Sequence, residues 1–124
     1  TFVQGLFADL GQVHVLPERL FDAFTAVAGS GPAYVFYFME AVAEAGVALG
    51  LTREQSLDIA GYLFLGSSKL AHESGEHPAM LREKVCSPAG TTIAAINHMD
   101  RTALRGHIID AVRASFSRSQ ELGK

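Results

Sequence analysis

Residues 33–49, AYVFYFMEAVAEAGVAL, decide the fold of this chain because they belong to its most apolar stretch. The break at residues 29–32, GSGP, precedes them and Gly50 follows them, so we predict a helix over this range. The first half, residues 34–39, is apolar on every side of that helix. A helix of this kind lies in the middle of a core. The sequence therefore predicts a helical domain built around residues 33–49.

The neighbouring segments also carry helical signals. Pro17 suits the first turn of a helix that ends at Gly29. On the other side, Thr52 and Gln55 are spaced as a capping box for a third helix, which we predict from residue 53 to about residue 73. The helix around residues 33–49 is thus expected to have helical neighbours on both sides.

The second half of the chain predicts three more helices. Two are short, at residues 78–84 and 92–99, and Thr102 is expected to cap a last long one. The residues of the last helix that we expect to point inward are Leu104, Ile108, Ile109, Val112 and Phe116. The predicted fold class is all-α.

Residues 1–15 follow a different pattern. Residues 1–10 have helical spacing, and residues 12–15 alternate like a short strand. One strand has nothing to pair with in an otherwise helical chain. We therefore expect residues 1–15 to be the tail of something larger and residues 16–124 to be the helical domain.

The composition excludes several function classes. A chain of 124 residues with net charge −3 is the size of one domain and lacks the basic patch of a nucleic-acid surface. A membrane span is not expected, because Glu40 and Glu44 interrupt the most apolar stretch. The single cysteine, Cys86, excludes an internal disulfide framework and favours a reducing, cytoplasmic setting.

Two stretches imitate known motifs without matching them. His72 and His77 are five residues apart, which places them roughly 140° around a helix, so they cannot share a face as metal ligands do. Residues 29–34, GSGPAY, begin like a dinucleotide fingerprint but follow a helix and have Tyr34 at the third glycine position. We expect no metal site and no cofactor-binding Rossmann unit within this chain.

Residues 84–96, KVCSPAGTTIAAI, interrupt the helical pattern. Pro88 and Gly90 stop one helix, and a hydroxyl residue such as Thr91 or Thr92 is suited to start the next. Judged from spacing alone, helix capping is the simpler interpretation of the two threonines.

Residues 87–93, SPAGTTI, are similar to the signature of pyrroline-5-carboxylate reductases. The similarity covers essentially the whole chain, including residues 22–25, 29–34, 44–51, 74–78, 104–106 and 110–112. There are two departures. Ala89 stands where many members have a second glycine, and Thr102 with Ala103 replaces a common glycine pair.

The resemblance implies an architecture. The family has an N-terminal Rossmann domain that binds NADPH or NADH and a C-terminal helical domain that forms an interlocked homodimer, often assembled further into a decamer. This chain resembles the second part, a helical dimerisation domain of the 6-phosphogluconate-dehydrogenase C-terminal-like type. Residues 1–15 would then be the last helix and strand of the cofactor domain.

The resemblance also implies an activity, the NAD(P)H-dependent reduction of 1-pyrroline-5-carboxylate to L-proline. The backbone N–H groups of Gly90, Thr91 and Thr92, at a helix N-terminus, are expected to bind the substrate carboxylate, with Ser87 as a further donor. Thr92 is the expected catalytic residue, hydrogen-bonded to the ring nitrogen.

Thr25 and Ser30 are candidates for contact with the nicotinamide end of the cofactor, and hydrogen bonding within the core is the alternative for both. Two other readings of the whole chain remain. It could be a catalytically inert oligomerisation module, or the helical domain of another imine or hydroxyacid reductase. The preference for NADH or NADPH stays open.

Overall fold

The computed structural model describes residues 16–86 and 90–124. Within these two ranges the chain forms helices and no strand, which confirms the all-α class. The helix predicted at residues 1–10, the strand predicted at residues 12–15 and the proposed tail at residues 1–15 lie outside the described residues.

The chain enters the fold through residues 18–29, which we call the leading segment. A 3-10 turn at Glu18–Leu20 continues into helix α1, Phe21–Phe24, and then into a π-helical turn, Thr25–Gly29. The amide of Ser30 donates to the carbonyl of Thr25 at 2.9 Å, a bond that spans five residues and closes the wide turn. The predicted helix that starts near Pro17 and ends at Gly29 is present, and its last part is wound as a π-helix.

Helices α2, Gly31–Ala48, and α3, Arg53–Ser74, form the most extensive contact of the fold. Gly50 (φ 112°) lies in the turn between them, and the predicted capping box opens α3. In that box the amide of Gln55 donates to Thr52 Oγ1 at 3.1 Å, while Gln55 Oε1 accepts from the amide of Thr52 at 3.0 Å.

Three more helices complete the described chain: α4, Pro78–Cys86; α5, Thr91–Arg101; and α6, Leu104–Leu122. Helix α4 packs on α5, α5 packs on α6, and α6 returns to the leading segment. The return contact is polar as well as apolar, since Ser119 Oγ donates to Asp22 Oδ1 at 2.6 Å.

The predicted cap of the last helix is wrong. The Thr102 hydroxyl donates backward to the carbonyls of His98, at 2.9 Å, and Met99, at 3.1 Å, so it closes the end of α5. The residue before α6 is Ala103, which takes a left-handed conformation (φ 58°) and makes no side-chain cap. The Thr102 hydroxyl therefore acts as a donor to the carbonyls of the preceding turn.

The described residues of a single copy form a very small core. Among the described residues only Ala26, Ala43, Ala60 and Ser56 are buried. The expectation that residues 34–39 lie inside a core is therefore wrong for one copy, since Tyr37 is 72% exposed. Of the residues expected to point inward from α6, Ile109 is 46% exposed. One layer of helices around α2 leaves much of its apolar surface uncovered.

No helix in the two described ranges is both long enough and apolar enough to cross a membrane.

Candidate functional site

The start of α5 holds three of the residues that the sequence singled out. Gly90 is the residue before the helix and adopts a left-handed conformation (φ 74°, ψ −20°) that glycine takes without strain. The first helical hydrogen bond runs from the amide of Ala94 to the carbonyl of Gly90 at 3.1 Å. The amides of Gly90, Thr91 and Thr92 precede that bond, so the helix itself does not use them.

The threonine hydroxyls do not cap the helix. Thr91 and Thr92 are the first and second residues of α5, one and two positions past the capping position that Gly90 occupies. Among the described residues no side chain caps this helix. Thr91 is exposed, whereas Thr92 is half-buried. The geometry therefore gives the capping interpretation no support, and Thr92 lies in the first turn, whose amides the helix does not use.

Ser87, the fourth residue expected at this site, belongs to residues 87–89, which lie outside the described part of the chain. Its role as a hydroxyl donor stays a prediction.

Thr25 and Ser30, the two cofactor candidates, both have partners inside the chain. Thr25 Oγ1 donates to the carbonyl of Phe21 at 2.9 Å, one helical turn back. The hydroxyl of Ser30 lies 3.0 Å from the hydroxyl of Ser115 on α6. The first bond lies within the leading segment and the second joins the residue after that segment to α6, so both favour the alternative of hydrogen bonding within the fold.

Thr25 and Ser30 line one wall of an open cavity of about 740 Å³ between the leading segment and the C-terminal half of α6. Its other described lining residues are Glu18, Phe21, Asp22, Ser115, Arg118, Ser119, Leu122 and Gly123. Gly90, Thr91 and Thr92 do not line it. The structure thus brings the two cofactor candidates together and leaves the substrate candidates in a second place, at the start of α5.

Sequence reasoning missed the contribution of α6 to this cavity. Arg118 lines the cavity, with its guanidinium 2.9 Å from Glu121 Oε2. Ser115 and Ser119 lie one turn apart; Ser115 bonds Ser30, directly after the leading segment, and Ser119 bonds Asp22 within it. The signal was present in the sequence as two serines four residues apart, which share a helix face.

A second cavity is apolar. A groove of about 410 Å³ runs between α2 and α6, and we call it the α2–α6 groove. Its lining residues are Ala33, Tyr34, Tyr37, Phe38, Leu104, His107, Ile108, Ala111 and Val112.

Of the two histidines His72 and His77, His77 has a local structural role. His77 Nδ1 accepts from the amide of Ala79 at 3.0 Å and so satisfies an amide in the first turn of α4. Within the described ranges no group of three histidine, cysteine, aspartate or glutamate side chains is arranged to hold a metal ion.

Comparison with known proteins identifies relatives along the whole helical region. The family model described as pyrroline-5-carboxylate reductase dimerisation matches residues 18–122. A pyrroline-5-carboxylate reductase from Synechocystis is 47% identical over 121 residues, covering 98% of this chain and 45% of the relative. One from Thermus thermophilus is 40% identical over 124 residues, covering 100% of this chain and 47% of the relative. The chain thus spans less than half the length of these relatives.

Solved structures agree with the sequence matches. The pyrroline carboxylate reductase of Plasmodium falciparum, solved with NADP bound, superposes with a TM-score of 0.88 at 30% identity, covering 99% of this chain and 50% of that one. A pyrroline-5-carboxylate reductase from Coxiella burnetii gives a TM-score of 0.83 at 39% identity, covering 89% of this chain and 41% of that one.

Proposed function

Because this chain belongs to the pyrroline-5-carboxylate reductase family, we propose that it is the helical dimerisation and substrate-binding part of an enzyme that reduces 1-pyrroline-5-carboxylate to L-proline with NAD(P)H. One observation carries the substrate-binding role. The first turn of α5 contains both amides that the helix does not use and Thr92, a half-buried residue whose hydroxyl does not cap the helix.

The amides form the proposed carboxylate site. A helix N-terminus carries partial positive charge, and its first N–H groups point outward toward an anion. Helix α5 has 11 residues, so several peptide dipoles align behind Gly90, Thr91 and Thr92. The substrate carries one carboxylate, which these three donors can bind without a charged side chain.

The proposed role of Thr92 is to orient the ring nitrogen of the substrate. A threonine hydroxyl both donates and accepts, so it can bond the imine nitrogen before reduction and the N–H afterwards. It is far too weak an acid to be the ultimate source of the proton at neutral pH. We therefore propose that Thr92 fixes the position of the ring nitrogen and that water supplies the proton.

The described residues do not by themselves fit the cofactor. The hydroxyls of Thr25 and Ser30 already have partners in the chain, and the sequence has no glycine-rich phosphate turn that follows a strand. We propose that NADPH or NADH is bound mainly by the Rossmann domain of the family, of which residues 1–15 would be the tail. A contact of Thr25 or Ser30 with the nicotinamide stays a prediction.

The proposed assembly is a homodimer. Large apolar side chains on three helices stay exposed in one copy, among them Tyr37 on α2, Tyr62 on α3 and Ile109 on α6. An exposed apolar surface that extends over several helices is typical of a protein–protein interface. The match to a dimerisation family supports a second copy as the partner.

Sedimentation of the 124-residue chain tests the assembly. We expect an intertwined dimer that persists at low micromolar concentration, and a monodisperse monomer would contradict it. A decamer, which the resemblance also implies, would sediment as a distinct larger species.

The cellular location is also a proposal. A single cysteine, Cys86, and no cysteine partner for it in the sequence support a reducing, cytoplasmic compartment.

The second candidate function is an inert oligomerisation module. It is favoured by the extent of the match, since the chain corresponds to the dimerisation region and to less than half of its relatives. The comparisons named here give no support to another imine or hydroxyacid reductase. We expect the isolated chain not to oxidise NADPH in the presence of 1-pyrroline-5-carboxylate; oxidation above a substrate-free control would contradict this expectation.

Thr92→Ala in the full-length enzyme tests the substrate site. A hydrogen bond to a charged group contributes about 1.5–3 kcal/mol, so kcat/KM should fall on the order of ten- to a hundred-fold if the bond is made in the transition state. Binding of a carboxylate-bearing substrate analogue should weaken less, because the backbone amides remain.

Thr91→Ala is the matched control, since Thr91 is the adjacent residue, is exposed and caps nothing. It should leave both kcat/KM and the melting temperature nearly unchanged. Near-normal kcat/KM in Thr92→Ala would remove the catalytic assignment and leave the family membership standing.

A further inference from the structure

The π-helical turn at the end of the leading segment depends on which carbonyl accepts the Ser30 amide. In an α-helical turn this amide would donate to the carbonyl of Ala26, four residues back. It donates instead to the carbonyl of Thr25, five residues back, at 2.9 Å. The carbonyl of Ala26 accepts the hydroxyl of Tyr34, from α2, at 2.8 Å. A side chain thus occupies the acceptor that an α-helical turn would use.

We propose that Tyr34 is a positioning residue: its hydroxyl holds the turn Thr25–Gly29 in the π-helical register, and this register sets the orientation of the leading segment on α6 that the reductase reaction requires. The consequence for the reaction rests on the proposed function. The register is a property of the chain itself and is measured separately.

Burial makes the Tyr34 hydroxyl decisive for the register. Ala26 is only 1% exposed, so water does not replace the hydroxyl at its carbonyl. Leaving a buried acceptor without a donor costs free energy. In Tyr34→Phe the Ser30 amide can supply the missing donor by moving from Thr25 to Ala26. That move converts the last turn of the leading segment into an α-helical turn.

The register determines which side chains face α6. Asp22 bonds Ser119 at 2.6 Å, and Ser30 bonds Ser115 at 3.0 Å. Ser115 and Ser119 are four residues apart and share one face of α6, so Asp22 and Ser30 must also share a face. Eight residues apart, they would lie roughly 80° apart on a continuous α-helix. The wide turn takes up one extra residue, so their spacing becomes equivalent to seven residues, roughly 20° apart.

The leading segment connects this contact to the reaction. It directly follows residues 1–15, which we expect to be the tail of the cofactor domain. A leading segment turned on α6 would therefore change the placement of that domain relative to the start of α5, where the substrate is proposed to bind. Misplacement of reacting groups by about 1 Å can lower a rate on the order of a hundredfold. The carboxylate site at the start of α5 takes no part in the contact, so substrate affinity should stay unchanged.

Nuclear magnetic resonance of the 124-residue chain tests the register. The coupling across the hydrogen bond, between the amide nitrogen of Ser30 and the accepting carbonyl carbon, identifies the acceptor. We expect coupling to Thr25 in the wild type and to Ala26 in Tyr34→Phe. Tyr37→Phe is the matched control, since it removes a hydroxyl from an exposed tyrosine of the same helix, and it should keep the coupling to Thr25.

Steady-state kinetics of the full-length enzyme test the positioning role. In Tyr34→Phe we expect kcat to fall on the order of tenfold and KM for 1-pyrroline-5-carboxylate to stay within about twofold of the wild type. Tyr37→Phe should keep the wild-type kcat.

Deletion of Val27 in the Tyr34→Phe background provides a rescue. Val27 is 63% exposed and lies inside the turn. Without it, Thr25 becomes the fourth residue before Ser30, so an α-helical turn makes the same bond and keeps Asp22 and Ser30 on one face. We therefore expect kcat to recover.

The opposite results overturn the inference. A Ser30 amide that stays on Thr25 in Tyr34→Phe removes the role of Tyr34 in the register. A shift to Ala26 with unchanged kcat removes its role in the reaction, as does an equal loss in Tyr37→Phe. A deletion variant with intact helices and no recovery of kcat assigns the loss to another effect of Tyr34. Full-length wild type that does not reduce 1-pyrroline-5-carboxylate overturns the proposed function and the positioning role with it, while the measured register stands.

Discussion

The two sides of helix α2 differ in how completely the chain covers them. Toward α3, the hydroxyl of buried Ser56 donates to the carbonyl of Ala43 at 2.6 Å, and Gly46 has no side chain that would keep the helices apart. Toward α6, α2 presents Tyr34, Tyr37 and Phe38 to an open groove. One contact is complete within the chain, and the other ends in exposed apolar surface.

The difference separates what the chain stabilises alone from what it stabilises with a partner. Small residues such as Ala43, Gly46 and Ala60 make the α2–α3 contact close, but they bury little apolar area. The large residues that line the α2–α6 groove, Tyr34, Tyr37 and Phe38, carry more of the hydrophobic free energy. We therefore expect the α2–α3 contact to determine local geometry and the α2–α6 side to contribute most of the stability of the dimer.

The largest expected effect comes from Ile108→Ala in the α2–α6 groove. Ile108 is 39% exposed in one copy, so only this exposed part can be newly buried in the dimer, and its loss removes about 1 kcal/mol of apolar burial per subunit. Two copies give about 2 kcal/mol, so the dimer dissociation constant should rise about thirtyfold. Sedimentation equilibrium measures it.

Leu122→Ala is the control for Ile108→Ala. Leu122 is also an exposed aliphatic residue of α6, but it lines the other cavity. Its dissociation constant should stay close to that of the wild type. Equal effects of the two substitutions would contradict a specific role for the groove.

The second-largest expected effect comes from Gly46→Ala in the α2–α3 contact. The new methyl group would collide with Ser56 Oγ and lie 3.2 Å from Leu51 Cδ1, so the two helices must separate or Ser56 must give up its bond to Ala43. Overpacking of this kind costs about 1–3 kcal/mol. Chemical denaturation should show that loss in the free energy of unfolding.

Gly106→Ala is the matched control, since Gly106 is also helical but has nothing within 4 Å of the added carbon. It should raise stability by up to about 1 kcal/mol through helix propensity alone. If Gly46→Ala behaves like Gly106→Ala, the close α2–α3 contact does not exist in solution.

Local sequence signals predicted the elements well. The capping box at Thr52 and Gln55 and the break before Gly31 both appear where the sequence placed them, because capping and turn chemistry depend on residues a few positions apart. The position of Gly90, Thr91 and Thr92 at a helix start was predictable for the same reason. The prediction that Thr102 caps α6 failed because its hydroxyl donates to carbonyls one turn back in α5.

Contacts between distant segments could not be read from the sequence. Apolarity on every side of residues 34–39 indicated burial but not whose side chains would cover it, and one copy leaves Tyr37 exposed. Ser115 and Ser119 acquire their roles only when α6 returns to the leading segment, about 90 residues away from their partners. Such pairings depend on topology, which spacing does not encode.

Thr52→Ala compares a helix start that is capped with one that is not. The Thr52 hydroxyl accepts the amide of Gln55 at 3.1 Å, so its removal should cost about 1 kcal/mol of the free energy of unfolding. Thr91→Ala at the start of α5 should cost almost nothing, because no side chain caps that helix among the described residues. Equal losses in chemical denaturation would show that Thr91 caps α5 after all.

Ala103→Gly is expected to have the smallest effect, and it is stabilising. Ala103 holds φ 58° and ψ 34° between α5 and α6, a left-handed conformation that costs an L-residue about 1–2 kcal/mol. Glycine removes that strain but adds about 0.4–1 kcal/mol of conformational freedom to the unfolded chain. The net gain should be about 0.5 kcal/mol, a rise in melting temperature of about 2 °C. Ala114→Gly, at an exposed helical position of α6, is the control and should lower stability by about 1 kcal/mol. If both substitutions destabilise equally, Ala103 is helical in solution and α5 and α6 are joined by a different turn.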